Sequence, residues 1–192
     1  MKSTLDCLQC VLDQTLRAAR QATEDPVVHR RVLDEVSRSI PSMDLNLSPA
    51  VLCLDLYRWV AEYSGNPDPY AASKREQNAA ALALESELRA MVRESADPLA
   101  TALQLAAAGN IIDLGILKAE EIDIRATVRD ALHEGFAIDH TEDLRAALKN
   151  CRDLLYLFDN AGEIVFDKIL IEVLQQYTSV TGVVKGAPAI ND

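Results

Sequence analysis

Carboxylates and a carboxamide follow an apolar stretch late in the chain, in a pattern that could bind a metal ion. The apolar run 154–158 is followed directly by Asp159 and Asn160, and Glu163 comes three residues later. Asp and Asn side chains supply hard oxygen ligands, which suit Mg²⁺ or Mn²⁺ and not zinc. The alternative interpretation is that Asp159 or Asn160 caps a following helix, with Glu163 favourably near its amino end.

A second polar cluster follows the next apolar run, 180–184. Lys185 comes directly after this run, and the chain continues through a Gly-x-Pro turn to Asp192. A lysine at a strand end is a natural partner for a phosphate group, and Asp192 could complete a metal site with Asp159. A solvated turn is the alternative interpretation.

The segment between the two clusters has its apolar residues at helical spacing. The order is therefore strand, polar turn, helix, strand, polar turn, which predicts a βαβ unit. The carboxyl ends of parallel strands form the edge of a sheet where ligands bind. We expect Asp159, Asn160 and Lys185 to meet at that edge.

Two further groups of polar residues lie earlier in the chain. Asn110 and Asp113 follow Gly109 within an otherwise apolar run, which suggests either a binding turn or a helix that ends at Gly109. Lys74 and Asn78 lie four residues apart and share a helix face. Isolated Lys and Asn side chains on a helix are normally solvated, so we expect these two to face water.

The four cysteines do not have the pattern of a disulfide framework. Cys7 and Cys10 form the only close pair, and positions i and i+3 share a helix face. This pair could ligate a soft metal or act as a redox couple. Alternatively, both thiols are small buried hydrophobes that pack beside Leu5 and Val11.

Composition excludes several classes of function. The chain has 192 residues, of which 49% are hydrophobic and 26% charged, an ordinary balance for a soluble globular protein. Its net charge of −11 argues against nucleic acid, whose phosphates need a basic surface. The first residues lack the apolar core of a signal peptide, and no apolar run approaches the roughly 18 residues of a membrane span. We predict a cytoplasmic protein that binds neither nucleic acid nor membrane.

The first two thirds of the chain has the composition of a series of helices. Helix-forming residues fill long stretches, and proline or glycine interrupts them. The predicted helices cover residues 5–23, 27–40, 50–63, 70–95, 99–108, 121–135 and 141–150. Clear strands come only later, although 114–117 and 136–138 are candidate short strands. We predict a helical N-terminal domain, residues 1–95, followed by an α/β domain, residues 96–192.

Taken together, the motifs resemble those of the damage-control phosphatase family, whose eukaryotic relatives were once described as acidic-residue methyltransferases. The resemblance rests on short motifs that occur in a fixed order along nearly the whole chain. These motifs are Cys7-x-x-Cys10, Asp68-Pro69-Tyr70-x₃-Lys74-x₃-Asn78, Asp97-Pro98-Leu99, Gly109-Asn110-x-x-Asp113, Asp159-Asn160-Ala161-Gly162-Glu163 and Lys185-Gly186-x-Pro188-x-x-Asn191-Asp192. The Cys-x-x-Cys pair is typical of the prokaryotic subgroup.

The resemblance implies a fold and an activity. The family fold is a helical N-terminal bundle followed by a Rossmann-like three-layer α/β domain with a parallel sheet. The family reaction is hydrolysis of small phosphate monoesters, including sugar phosphates, with Mn²⁺, Mg²⁺, Co²⁺ or Ni²⁺.

The resemblance also assigns roles to residues of this chain. The metal ligands fall on Asp159, Asn160 and Asp192, and the phosphate-binding lysine falls on Lys185. The turn near the substrate falls on Asn110 and Asp113.

The catalytic carboxylate is not assigned by the resemblance. Asp159 and Glu163 are the candidates, and whether water or a carboxylate attacks the phosphorus stays open.

Relatives continue well past the position of Asp192, so we expect a chain truncated at its C-terminus and a loosely held metal site. An incomplete sheet would leave an open edge that favours homo-oligomers. The alternative function is a catalytically inactive metal-binding or assembly module. A methyltransferase that uses S-adenosylmethionine has less support, because no glycine-rich adenosine loop follows an early strand.

Overall fold

The structure is a computed structural model that describes residues 2–111 and 124–186. Asp113, Asp192 and the candidate strand 114–117 lie outside the described residues. The helices are α1 (Leu5–Ala22), α2 (Pro26–Ser39), α3 (Pro49–Leu52), α4 (Leu54–Ser64), α5 (Ala71–Glu94), α6 (Pro98–Ile111), α7 (Ile124–Glu134), α8 (Thr141–Leu148) and α9 (Glu163–Leu174). The strands are β1 (Asp153–Leu157) and β2 (Ser179–Val183), and a 3₁₀ turn covers Ile40–Ser42.

By packing, the described residues fall into two compact units. The first comprises residues 2–72, and the second comprises residues 73–111 together with 124–186. The predicted domain boundary at residue 95 stays a prediction.

The first unit is helical, as predicted. Asp25 caps α2 by accepting the Val27 amide at 2.8 Å, and Pro26 stands at the first helical position, where a missing N–H costs nothing. The predicted helix 50–63 is divided at Cys53 into α3 and α4. The core residues of this unit are Val11, Ala18, Ala19, Val32, Val36, Leu52, Leu56, Val60 and Tyr70.

The second unit contains the βαβ arrangement that the sequence predicts. Strands β1 and β2 are parallel neighbours, and α9 connects them. Helix α9 is apolar on most of its surface and packs mainly against α6, which explains its near-complete burial. Its buried residues are Val165, Phe166, Asp167, Ile169, Leu170, Val173 and Leu174. Only two strands occur among the described residues, so the three-layer sheet and the truncation stay predictions.

Two expectations about this unit are wrong. Residues 136–138 form no strand and belong to the connection between α7 and α8. Helix α6 does not end at Gly109 but continues to Ile111. A Cβ atom built on Gly109 would lie 3.0 Å from Cβ and Cγ of Phe166, so glycine permits close packing of α6 on α9. Gly109 therefore serves helix packing and does not terminate the helix.

Asp97 confirms the predicted start of α6. Its Oδ1 accepts the Ala100 amide at 3.1 Å, and its Oδ2 accepts from Arg145 at 2.6 Å.

Across the described ranges, no helix combines the length and apolar character needed to cross a membrane.

Candidate active site

The ends of β1 and β2 bring Asp159 and Lys185 together. The strands pair in register, with Leu157 opposite Val183, and the Phe158 amide continues the ladder by donating to the Val183 carbonyl at 2.9 Å. Beyond this point both segments leave the sheet, and the Lys185 ammonium donates to Asp159 Oδ1 at 3.1 Å. Both side chains are about half exposed, so the pair is accessible from solvent.

The turn after β1 is shaped by Gly162. Its φ of +80° lies in the region that favours glycine, and it directly precedes α9. A Cβ atom at this position would also lie 3.3 Å from Cβ of Gln77. Conformation and space both favour glycine here.

Asn78 on α5 fixes this turn from a distant part of the chain. Its Oδ1 accepts the Gly162 amide at 2.7 Å. The expectation that Asn78 faces water is therefore wrong, because the side chain satisfies an amide at the amino end of α9. Asn78 precedes Gly162 by 84 residues, so helix periodicity alone could not predict this hydrogen bond.

Glu163 lies between two carboxamides. Asn160 Nδ2 donates to Glu163 Oε2 at 3.2 Å, and Asn110 Nδ2 approaches Glu163 Oε1 at 3.4 Å, a long hydrogen bond. These contacts bring Asn110 of α6 into the same group as Asn160 and Glu163. Asn110 is helical in the structure, and its predicted place near the substrate stays a prediction.

Asp167 is a buried carboxyl group near Asp159 and Glu163, and it was not identified from the sequence. Tyr156 of β1 donates to Asp167 Oδ1 at 2.5 Å, and Asp167 is only 3% exposed. The pKa of Asp167 is raised to about 6, chiefly by burial and also by the negative charges of Glu163 and Asp159, while the hydrogen bond from Tyr156 opposes the rise. A lone Asp on the apolar face of a predicted helix was the available signal.

The donor set fits a hard divalent cation. Asp159 supplies a carboxylate, and Asn160 supplies a carboxamide oxygen, since its Nδ2 is directed to Glu163. Oxygen ligands of this kind suit Mg²⁺ or Mn²⁺. Within residues 2–111 and 124–186, no three His, Cys, Asp or Glu side chains form a metal-binding group. The other predicted ligand, Asp192, and the predicted substrate residue Asp113 lie outside those ranges.

A comparison with protein families decides the assignment. Residues 3–192 match the family model of the damage-control phosphatase ARMT1-like domain. The chain belongs to this family. The match confirms the resemblance that the motifs indicated.

Proteins similar to this chain occur in several archaea. The protein MJ0202 of Methanocaldococcus jannaschii is 31% identical over 193 residues, an alignment that covers 97% of this chain and 63% of the relative. A damage-control phosphatase of Archaeoglobus fulgidus is 31% identical over 199 residues, with 100% and 67% covered. The chain thus spans about two thirds of the length of these relatives.

A solved structure supports the fold. The crystal structure of a DUF89 family protein, PH1575 of Pyrococcus horikoshii, matches with a TM-score of 0.84 and 28% identity. The match covers 100% of this chain and 67% of that one. A protein of the same name and organism is called a damage-control phosphatase and is 28% identical to this chain.

Proposed function

We propose that the chain carries a metal-dependent phosphatase site that hydrolyses small phosphate monoesters such as sugar phosphates. The observation that carries the proposal is the meeting of Asp159 and Lys185 at the joined ends of β1 and β2. Family membership supports the reaction class.

In this proposal Asp159 and Asn160 hold the divalent cation, together with Asp192. A bound Mg²⁺ or Mn²⁺ supplies positive charge that stabilises the phosphoryl oxygens. The carboxylate and carboxamide at a strand end suit that role, because the sheet gives them a rigid base.

Lys185 binds the phosphate of the substrate. Its ammonium is a compact positive charge, and its hydrogen bond to Asp159 holds it beside the proposed metal ligands. The chain carries a net charge of −11, so a local cation is needed to receive a phosphate dianion. As the transition state forms, the same ammonium stabilises charge on the equatorial oxygens.

Glu163 and Asp159 are the carboxylates that can serve in proton transfer or attack. Glu163 is held in place by Asn160 and by Asn110, which leaves its carboxylate oriented by hydrogen bonds. Asn110 thereby acts as a positioning residue, and Asp113 is proposed to lie near the substrate in agreement with the motif.

The proposal is tested by phosphatase assays on p-nitrophenyl phosphate and a panel of sugar phosphates, with and without Mn²⁺. We expect metal-dependent phosphate release that Asp159→Ala abolishes. Asp153→Ala, at the opposite end of β1, is the matched control and should keep wild-type activity. A folded protein with no metal-dependent release would contradict the proposal and favour an inactive module.

A further inference from the structure

Three of the four cysteines lie in the first unit, and the phosphatase site uses none of them. Cys7 is in the first turn of α1, Cys10 follows one turn later, and Cys53 stands between α3 and α4. Helix α1 packs on α4. Burial raises the pKa of the Cys53 thiol, and negative charge on Cys10 and Cys7 raises it further.

Cys7 has the surroundings of a reactive thiol. Its Sγ accepts the Thr4 amide at 3.3 Å and contacts the Thr4 hydroxyl at 3.6 Å, which completes a capping arrangement at the amino end of an 18-residue helix. Backbone and hydroxyl hydrogen bonds from Thr4 lower the pKa of Cys7. The positive end of the helix dipole acts in the same direction.

Cys10 is placed to react with Cys7. The buried face of α1 runs through Val11, Thr15 and Ala18, so Cys7 sits half-buried at its start, whereas Cys10 lies off that face and is exposed. The interpretation of both thiols as buried hydrophobes beside Leu5 is therefore wrong, since Leu5 is also exposed. Residues i and i+3 of a helix have Cβ atoms about 5–6 Å apart, and a disulfide needs about 3.5–4.5 Å. A disulfide between Cys7 and Cys10 therefore requires the first turn of α1 to adjust.

The same geometry argues against a soft-metal site. Among the residues that the structure describes, Cys7, Cys10 and Cys53 do not converge as a set of three metal ligands. Cys53 is partly buried, and its raised pKa keeps the thiol protonated. Two thiols in one helical turn remain, one of them activated and the other exposed.

We propose that Cys7 and Cys10 form a reversible dithiol–disulfide site that exchanges with low-molecular-weight disulfides. The Cys7 thiolate attacks one sulfur of the small disulfide, forms a mixed disulfide and releases one small thiolate. Cys10, after losing its proton to solvent, attacks the Cys7 sulfur and displaces the second small thiolate. Two electrons pass from the protein to the small disulfide, which becomes two thiols, and a small thiol in excess reverses both steps.

The test follows the reaction of the full 192-residue chain with glutathione disulfide by intact-mass and peptide mass spectrometry after acid quenching. We expect the wild type to lose two hydrogens, and the loss should be located to the peptide that contains both Cys7 and Cys10. Cys10→Ser should instead accumulate one glutathionyl group on Cys7. Cys7→Ser should slow the reaction by at least about tenfold, because the activated thiolate is gone.

Cys151→Ser is the matched control and should react as the wild type does, since Cys151 lies in the second unit. Circular dichroism establishes that each variant is folded, and Thr4→Ala gives a second test that keeps both cysteines. Without the Thr4 hydroxyl contact, Cys7 should react more slowly at neutral pH. Wild-type rates in Cys7→Ser, or glutathionylation of Cys53 and not Cys7 in Cys10→Ser, would overturn the proposal. The readout is mass, so the result does not depend on phosphatase activity.

Discussion

Asp159 and Lys185 occupy equivalent positions after neighbouring strands, each two residues beyond the registered pair Leu157 and Val183. The Asp159 carboxylate and the Lys185 ammonium meet at 3.1 Å as a consequence. The parallel register thus brings this acid beside this base. The positive charge beside Asp159 therefore comes from Lys185, which follows β2, and not from the turn after β1.

Replacing Lys185 by methionine should lower kcat/KM for phosphate esters by on the order of a hundredfold, because a cation at the transferring phosphoryl group is lost. Stability should change by less than about 1 kcal/mol, since exposed ion pairs contribute little. Lys168→Met is the matched control, because Lys168 pairs with Glu85 on the outer side of α9. Steady-state kinetics and thermal unfolding of both variants check this. Equal activity losses in the two variants would contradict the role of Lys185.

Metal affinity should depend on Asp159, Asn160 and Asp192. We expect calorimetric titration with Mn²⁺ to give binding that weakens in each single alanine variant, because a hard ion loses one oxygen ligand each time. Asp153→Ala should bind as the wild type does. Tight binding that is indifferent to Asp192→Ala would place the site elsewhere and make Cys7 and Cys10 the first residues to examine.

Removal of the Asn78 side chain should disturb the turn after β1. In Asn78→Ala the Gly162 amide loses its acceptor, and we expect a cost of about 1–3 kcal/mol in the free energy of unfolding together with lower kcat. Asn78→Asp keeps an acceptor oxygen and should recover most of the stability. Glu76→Ala, an exposed change on the same helix, is the control. Full activity in Asn78→Ala would argue that the turn holds its shape without this bond.

Asp167 should make the stability of the protein depend on pH. Its pKa is raised to about 6, from an ordinary value of 3.8, so the folded state binds the proton more tightly than the unfolded state. The resulting stability is present below about pH 4 and is lost as the pH rises through about 6. As the pH rises from about 4 to about 7, the free energy of unfolding of Asp167→Asn should increase relative to that of the wild type by on the order of 2–3 kcal/mol. Denaturant unfolding measures this difference. If the free energies of unfolding of the two proteins changed equally with pH across this range, the raised pKa of Asp167 would be refuted.

Gly109 should not tolerate a side chain. Gly→Ala within a helix normally stabilises by about 0.5–1 kcal/mol, but here the new Cβ would press on the buried Phe166. We expect Gly109→Ala to destabilise by about 1–3 kcal/mol in chemical unfolding. Gly186→Ala, where the added Cβ meets open space, should leave stability nearly unchanged.

The polar cluster at the strand ends could be predicted from the sequence because it depends on local order. Apolar runs followed by Asp159 and by Lys185, with one amphipathic segment between them, indicate a βαβ unit and the sheet edge where the two side chains meet. The roles of Asn78 and Gly109 could not be predicted in this way. Both act through contacts with residues far along the chain, and a single sequence does not reveal how α5 and α6 pack against the turn and helix that follow β1.

The pairing of β1 with β2 also makes the number of residues after each strand matter. A residue gained or lost between α9 and β2 leaves those numbers unchanged. One residue inserted between Leu157 and Asp159 would leave every side chain of the cluster in the sequence yet carry the carboxylate away from Lys185. The count of residues after each strand is thus as much a determinant of this cluster as the identity of its members.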